Sequence, residues 1–177
     1  GNLQRDVFSV NRDGSELRKL TDRPELSWQA AVSPDGSEIA YVVEQGGRSD
    51  LYAMNLDGSG DRRLTHSNAG YWEPLWAPEG KAILTTSRDT KGRNLELICV
   101  NSDGSGQQQI SQMGGGSNQY AAFSPDRQKI VFSSDLQGGL PQAFSIARDG
   151  SNPQRLSENV MFFGPASLSP QGRALFT

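Results

Sequence analysis

The sequence predicts an all-β protein, a β-propeller of four blade-equivalents, each holding four antiparallel strands. Asp-Gly-Ser recurs at 13–15, 57–59, 103–105 and 149–151, at spacings of 44, 46 and 46. A second marker begins at Ser33-Pro34-Asp35-Gly36 and returns as Ala77-Pro78-Glu79-Gly80, Ser124-Pro125-Asp126-Arg127 and Ser169-Pro170-Gln171-Gly172, at spacings of 44, 47 and 45. Short β-branched and aromatic runs keep fixed offsets from both markers. No apolar pattern of helical period is long enough to compete, and a repeat of 40 to 50 residues built from strands is a propeller blade.

Each strand follows from those offsets. Six residues after the first residue of each Pro-containing turn stands Ile39, Ile83, Ile130 or Leu175. These open the β-rich runs Ile39 to Val43, Ile83 to Thr86 and Ile130 to Phe132. Before each Asp-Gly lies another run: Val7 to Val10, Leu51 to Met54, Leu97 to Val100 and Ala143 to Ile146. After each Asp-Gly comes one aliphatic residue, Leu20, Leu64, Ile110 or Leu156, always followed by Thr or Ser. Tight turns between such runs are hairpins, and the turn glycine takes the positive φ they need. Strand A precedes the Pro-containing turn, B follows it, C precedes the Asp-Gly turn and D follows that.

The chain reads as one domain, 1–177, with blade parts 6–21, 27–65, 71–111, 119–157 and 163–177. The first part supplies strands C and D and the last supplies A and B. The economical reading is a closed monomer whose last blade is joined from both ends of the chain, B pairing with C. A segment of a longer propeller and two chains sharing a larger ring are the alternatives.

Composition removes several functions. The 17 Lys and Arg against 20 Asp and Glu give a net charge of −3, no footprint for nucleic acid. No apolar run approaches the roughly 20 residues of a membrane span, so no membrane insertion is expected. One cysteine cannot form an intrachain disulfide.

The runs Trp76 to Ile83, Ser33 to Tyr41 and Asp50 to Gly58, with the trailing Arg63-Leu64-Thr65, resemble the WD40-like PD40 repeat of TolB-type propellers. Val32 and Leu168 depart from that pattern where it has Trp, and Arg127 where it has Gly. The resemblance implies a non-enzymatic scaffold that binds a protein or peptide, and an extracytoplasmic, periplasmic setting. Similar repeats also form the non-catalytic propellers of prolyl-oligopeptidase-like enzymes, so the alternative is a propeller segment lacking its catalytic domain.

No catalytic residues, cofactor or metal are expected. The sequence has no G-x-S-x-G elbow and no phosphate-cradling glycine loop. Its single histidine, His66, excludes a His-rich metal site and aligns with Asp22, Gln112 and Glu158 just after strand D, which reads as a loop tip. Cys99 aligns with Ser9, Ala53 and Ser145 and reads as a buried, inert thiol. Asp6, Asp50 and Glu96 recur at the start of strand C, with Gln142 in the fourth place, and read as structural acids bonded to backbone between blades.

Variation is concentrated at one end of the strands. The A–B and C–D hairpins are the constant turns; the D–A and B–C connections at the other end share little. The D–A loops bring Trp28, His66, Tyr71, Trp72, Tyr120, Phe162 and Phe163, and the B–C loops bring Arg48, Arg88 and Arg93. Aromatics and arginines on variable loops over a rigid scaffold suit recognition of a protein or peptide. Packing at the tops of the inner strands is the alternative for Trp28, Trp72 and Tyr120; Tyr71 and Phe162 read as more exposed.

Overall fold

A computed structural model of the chain describes residues 5–66, 69–88, 92–136, 139–157, 167–169, 171 and 174–175. The strands fall as the repeat requires. A half-blade holds β1 (Phe8–Ser9) and β2 (Arg18–Lys19). The first full blade holds β3 (Leu26–Val32), β4 (Glu38–Gln45), β5 (Arg48–Asn55) and β6 (Arg62–Arg63). The second holds β7 (Tyr71–Trp76), β8 (Ala82–Arg88), β9 (Leu95–Asn101) and β10 (Gln108–Gln109). The third holds β11 (Asn118–Phe123), β12 (Lys129–Ser134), β13 (Gln142–Ala147) and β14 (Gln154–Arg155). A last pair is β15 (Ser167–Leu168) and β16 (Ala174–Leu175). Each full blade is an antiparallel meander in sequence order, and β1–β2 and β15–β16 form separate two-stranded sheets.

The expected joining of the two terminal half-blades is not seen. Among the described residues β16 pairs with β15 and β1 with β2, and no pairing links β16 to β1.

The turns are built from their own residues. In each Asp-Gly-Ser turn the carboxylate of Asp13, Asp57, Asp103 or Asp149 accepts from the backbone N–H and the hydroxyl of the serine two residues on. Those bonds, the hydroxyl first, hold all four carboxyls below their ordinary value. In the Pro-containing turns Asp35 does the same with Ser33 and Ser37, which brings its carboxyl down to about 2. Arg127, which stands where the repeat favours glycine, takes the left-handed conformation anyway, with φ 62°. The turn geometry therefore survives the substitution at the cost of strain that glycine would not carry.

Apolar side chains lie between successive blades. Val7 of the half-blade packs with Ile39, Tyr41, Val43 and Met54. The other face of the first blade meets the second through Val42, Leu51, Leu64, Tyr71, Ile83 and Val100. The second meets the third through Leu84, Leu97, Ile110, Phe132, Phe144 and Ile146. Strands β3, β7, β11 and β15 are the inner ones, each touching the next along the row.

Candidate functional site

The inner strands carry a shared irregularity. Pairing of β3 with β4 shifts between Trp28 and Ala31, that of β7 with β8 between Trp72 and Leu75, and that of β11 with β12 between Gln119 and Ala122. At the same repeat position in each bulge sits a left-handed residue other than glycine: Gln29 (φ 49°), Glu73 (φ 58°) and Tyr120 (φ 58°). Such conformations are held in place by their surroundings. For Glu73 and Tyr120 a side chain of the preceding blade does it. The side-chain oxygen Oε1 of Gln29 accepts from the backbone N–H of Glu73 at 2.9 Å. The Oε2 of Glu73 accepts from the backbone N–H of Tyr120 at 3.0 Å and from the Thr86 hydroxyl at 3.0 Å. Neither Gln29 nor Glu73 was marked by the sequence; the signal available was their shared place one residue beyond Trp28 and Trp72.

The bulges aim the neighbouring tryptophans. Trp28 is half-buried with the Arg5 guanidinium 5.9 Å from its ring centroid. Trp72 is half-buried with Arg88 at 5.4 Å. Each is therefore an aromatic face with a cation over it, at one position of two successive blades. A Cβ on Gly70 would come within 2.6 Å of the Trp72 ring, so the glycine makes room for the indole. Tyr120 is half-buried beside them on β11.

Tyr71 differs from expectation. It is 3 % exposed, belongs to the core between the first and second blades, and donates its hydroxyl to Gln107 Oε1 at 3.0 Å. The alternation along β7 turns it inward while Trp72 faces out. His66 is exposed in its D–A loop, just after strand D. Arg48 and Arg88 belong to strand ends rather than loops: Arg48 pairs with Gln45 across Gly46-Gly47, and Arg88 pairs with Leu95. Gly46 and Gly47, with φ 58° and 77°, make the two-residue turn that a tight hairpin favours. Arg93 is exposed in the connection between β8 and β9. Phe162 and Phe163 lie outside the described residues.

Two cavities open among the variable connections. One of about 480 Å³ is lined by Pro24, Glu25, Leu26, Glu44, Gln45 and Gly46. The other, about 400 Å³, is lined by Ser134, Leu136, Leu140, Gln142, Phe144 and Arg155 among others. Arg23, in the loop leading to the first of these, forms an ion pair with Asp61 and lies 4.5 Å from the Tyr52 ring centroid. The buried Tyr41 hydroxyl donates to Asp61 Oδ1 at 2.6 Å. Burial pushes the Tyr41 phenol up to about 12, against the pull of the Arg23 charge.

The recurring acids are structural, but within blades more than between them. Thr21 donates its hydroxyl to Asp6 and Thr65 to Asp50, while the same hydroxyls accept the N–H of Val7 and Leu51. Lys19 and Arg63 of strand D add ion pairs to Asp6 and Asp50. Among the described residues Glu96 also reaches the next blade, accepting from Ser111 of its own blade and from Asn118 Nδ2 at 2.9 Å. Among the described residues no three His, Cys, Asp or Glu side chains gather as metal ligands. Cys99 is half-buried rather than enclosed, and burial pushes its thiol up, away from the reactive thiolate.

Comparison with known proteins agrees with this architecture. The model of the PD40 family, the TolB beta propeller domain, matches residues 1–114. No curated protein matches the sequence significantly. TolB from Acinetobacter baumannii superposes with a TM-score of 0.76 at 23 % identity, over 93 % of this chain and 40 % of that one. A puromycin-hydrolyzing peptidase of Mycobacterium tuberculosis gives 0.75 at 20 % identity, over 97 % of this chain and 31 % of its own. Oligogalacturonate lyase from Vibrio parahaemolyticus gives 0.74 at 11 % identity, over 96 % and 52 %. The chain thus spans from about a third to about half the length of these three structures, and at such identities the likeness is one of fold. With the family model matched over well over half its length, the chain belongs to the TolB beta propeller domain family.

Proposed function

We propose that this chain is a non-enzymatic binding module that engages a protein or peptide through the face formed by its D–A and B–C connections. The observation that carries the reading is the pair of equivalent tryptophans, Trp28 and Trp72. Each is half-buried at the variable end of an inner strand, with a guanidinium over its ring. A partially exposed aromatic anchor on rigid backbone, rimmed by arginine, is the arrangement from which interfaces draw most of their energy. The cavities beside Leu26 and Leu140 give the same face relief. Tyr120 and His66 extend it, Arg48 and Arg93 stand further out, and Tyr71 supports it from below. The constant turns are alike in every blade and offer no individual specificity.

A second reading, a propeller that gates a peptidase domain, is supported by the resemblance to the mycobacterial peptidase, of whose chain this one covers 31 %.

The test is a binding measurement against a partner isolated with the immobilised chain. Trp28→Ala and Trp72→Ala are expected to weaken binding by about 2 kcal/mol each. Ser59→Ala and Ser105→Ala, in the constant turns, are expected to leave it unchanged. The reading fails if the turn variants weaken binding while the tryptophan variants, still folded, do not.

A further inference from the structure

One charge pair recurs on strands C and D, and the third full blade breaks it. The cation stands on strand D, opposite an aromatic residue of strand C: Lys19 opposite Phe8, Arg63 opposite Tyr52 and Arg155 opposite Phe144. Cross-strand partners share a face of the sheet, and so does the residue two back along strand C. That residue is the acid that holds the cation. Asp6 pairs with Lys19 at 3.1 Å and Asp50 with Arg63 at 2.7 Å. In the third full blade the same position is Gln142. The second blade varies the pair the other way round, keeping the acid Glu96 and placing Gln109 opposite Ile98. There Glu96 is buried and bonded to Ser111 and Asn118, so the chain itself supplies its partners.

Where the third blade lacks its acid, the cavity of about 400 Å³ opens. Two cross-strand pairs line it, Ser134 with Gln142 and Phe144 with Arg155. Leu136 and Leu140, which flank the β12–β13 connection, complete the wall, and Leu140 is 59 % exposed. The volume suits a small ligand or an inserted side chain. Its apolar wall is Leu136, Leu140 and Phe144, and its polar wall offers a carboxamide, a hydroxyl and a guanidinium. Among the described residues lining it, Arg155 alone is charged. A guanidinium carries five N–H donors in a planar fork, so a bond made elsewhere still leaves donors for a carboxylate.

We propose that this cavity binds a carboxylate carried on an apolar body, the carboxylate taking the place that Asp6 and Asp50 fill in the other blades. It meets the Arg155 guanidinium and the Gln142 carboxamide N–H, while the apolar body lies against Leu136, Leu140 and Phe144. Glutamine at 142 is part of the fit. An acid there would hold Arg155 as Asp50 holds Arg63, and would repel a second negative charge. A peptide presents this chemistry in two ways, as the C-terminal carboxylate of an apolar residue or as an acidic side chain beside one. The proposal deepens the binding reading and rests on it for the face on which the cavity opens, but not for the tryptophans.

A chemical-shift titration of the whole chain, read at the methyl groups of Leu136 and Leu140, tests it. The probes are N-acetyl-leucine, with a terminal carboxylate, and N-acetyl-glutamyl-leucinamide, with a side-chain one; N-acetyl-leucinamide is the neutral control. At least one acid is expected to saturate the shifts at roughly millimolar concentration, and the control to bind about tenfold more weakly or worse. Whichever acid binds more tightly identifies the source of the carboxylate. Arg155→Met and Gln142→Glu are each expected to weaken that acid about tenfold or more with circular dichroism unchanged. The second variant rebuilds a pair of the kind the first blade already carries, so it is expected to fold. No saturable shift with either acid overturns the proposal, and so does a control that binds as well or an affinity that either variant leaves unchanged. Trp72→Ala is expected to leave the acid's affinity unchanged while weakening the partner captured by the wider face, so the two readings fail separately.

Discussion

Gly104 abuts the carbonyl oxygen of Leu64 across the boundary between the first and second blades: a Cβ on the glycine would stand 2.8 Å from that oxygen. The Asp-Gly turn is thus two things at once. Its aspartate and serine close the hairpin locally, and its glycine lets that hairpin seat on the neighbouring blade. Gly14 closes the same hairpin, with φ 83°, and seats on nothing within 4 Å.

That contrast separates two costs. Gly14→Ala is expected to destabilise by about 1–2 kcal/mol, the penalty of a left-handed alanine. Gly104→Ala adds a clash with backbone, which cannot move aside as a side chain can, and is expected to cost about 2–5 kcal/mol in all. Urea denaturation of both variants reads the difference directly; equal losses would mean that the boundary contact has no energetic weight.

Glu73 ties the second blade to the third through the Tyr120 N–H. Glu73→Ala leaves that N–H and the Thr86 hydroxyl without their acceptor and is expected to cost about 1–3 kcal/mol. Glu73→Gln keeps an acceptor oxygen and is expected to lose less than half as much. Amide exchange at Tyr120 should accelerate in the alanine variant and change little in the glutamine variant.

Asp35 and Tyr41 each contribute to a pH limit, Asp35 beside the four lowered Asp-Gly-Ser carboxyls. The Asp35 carboxyl lies at about 2 in the folded chain against an ordinary 3.8, so its contribution is complete above 3.8 and disappears as pH falls through about 2. The Tyr41 phenol is raised from 10.0 to about 12, so its contribution is complete below 10.0 and disappears as pH rises through about 12. Denaturation midpoints measured across both windows are expected to fall at each end. Asp35→Asn should make the acid limb shallower by its own share and Tyr41→Phe the alkaline one.

Peptide and ester substrates are expected to turn over no faster with the chain than without it. The motivation is a single histidine, exposed and with no nucleophile signature in the sequence. Hydrolysis that disappears in His66→Ala would overturn the non-enzymatic reading.

Much of the blade is legible in the sequence. The period of about 45 residues, the four strands per repeat and both turn types follow from hydrogen bonds and φ values spanning a few residues, such as Asp57 with Ser59. Local chemistry of that kind is written in adjacent letters, so the sequence determined the blade. What faces what between blades was decided by the tertiary structure alone. The Gln29 side chain meets the backbone of Glu73 from 44 residues away, and the Glu73 side chain meets Tyr120 from 47. Tyr71 and Trp72 are adjacent and both aromatic, yet one is core and the other half-exposed, because the strand's alternation against a neighbouring sheet picks the buried side. Gly14 and Gly104 carry the same motif and differ only in whether a strand D lies beside them. Identical local sequence cannot encode that difference; it arises when separate blades stack.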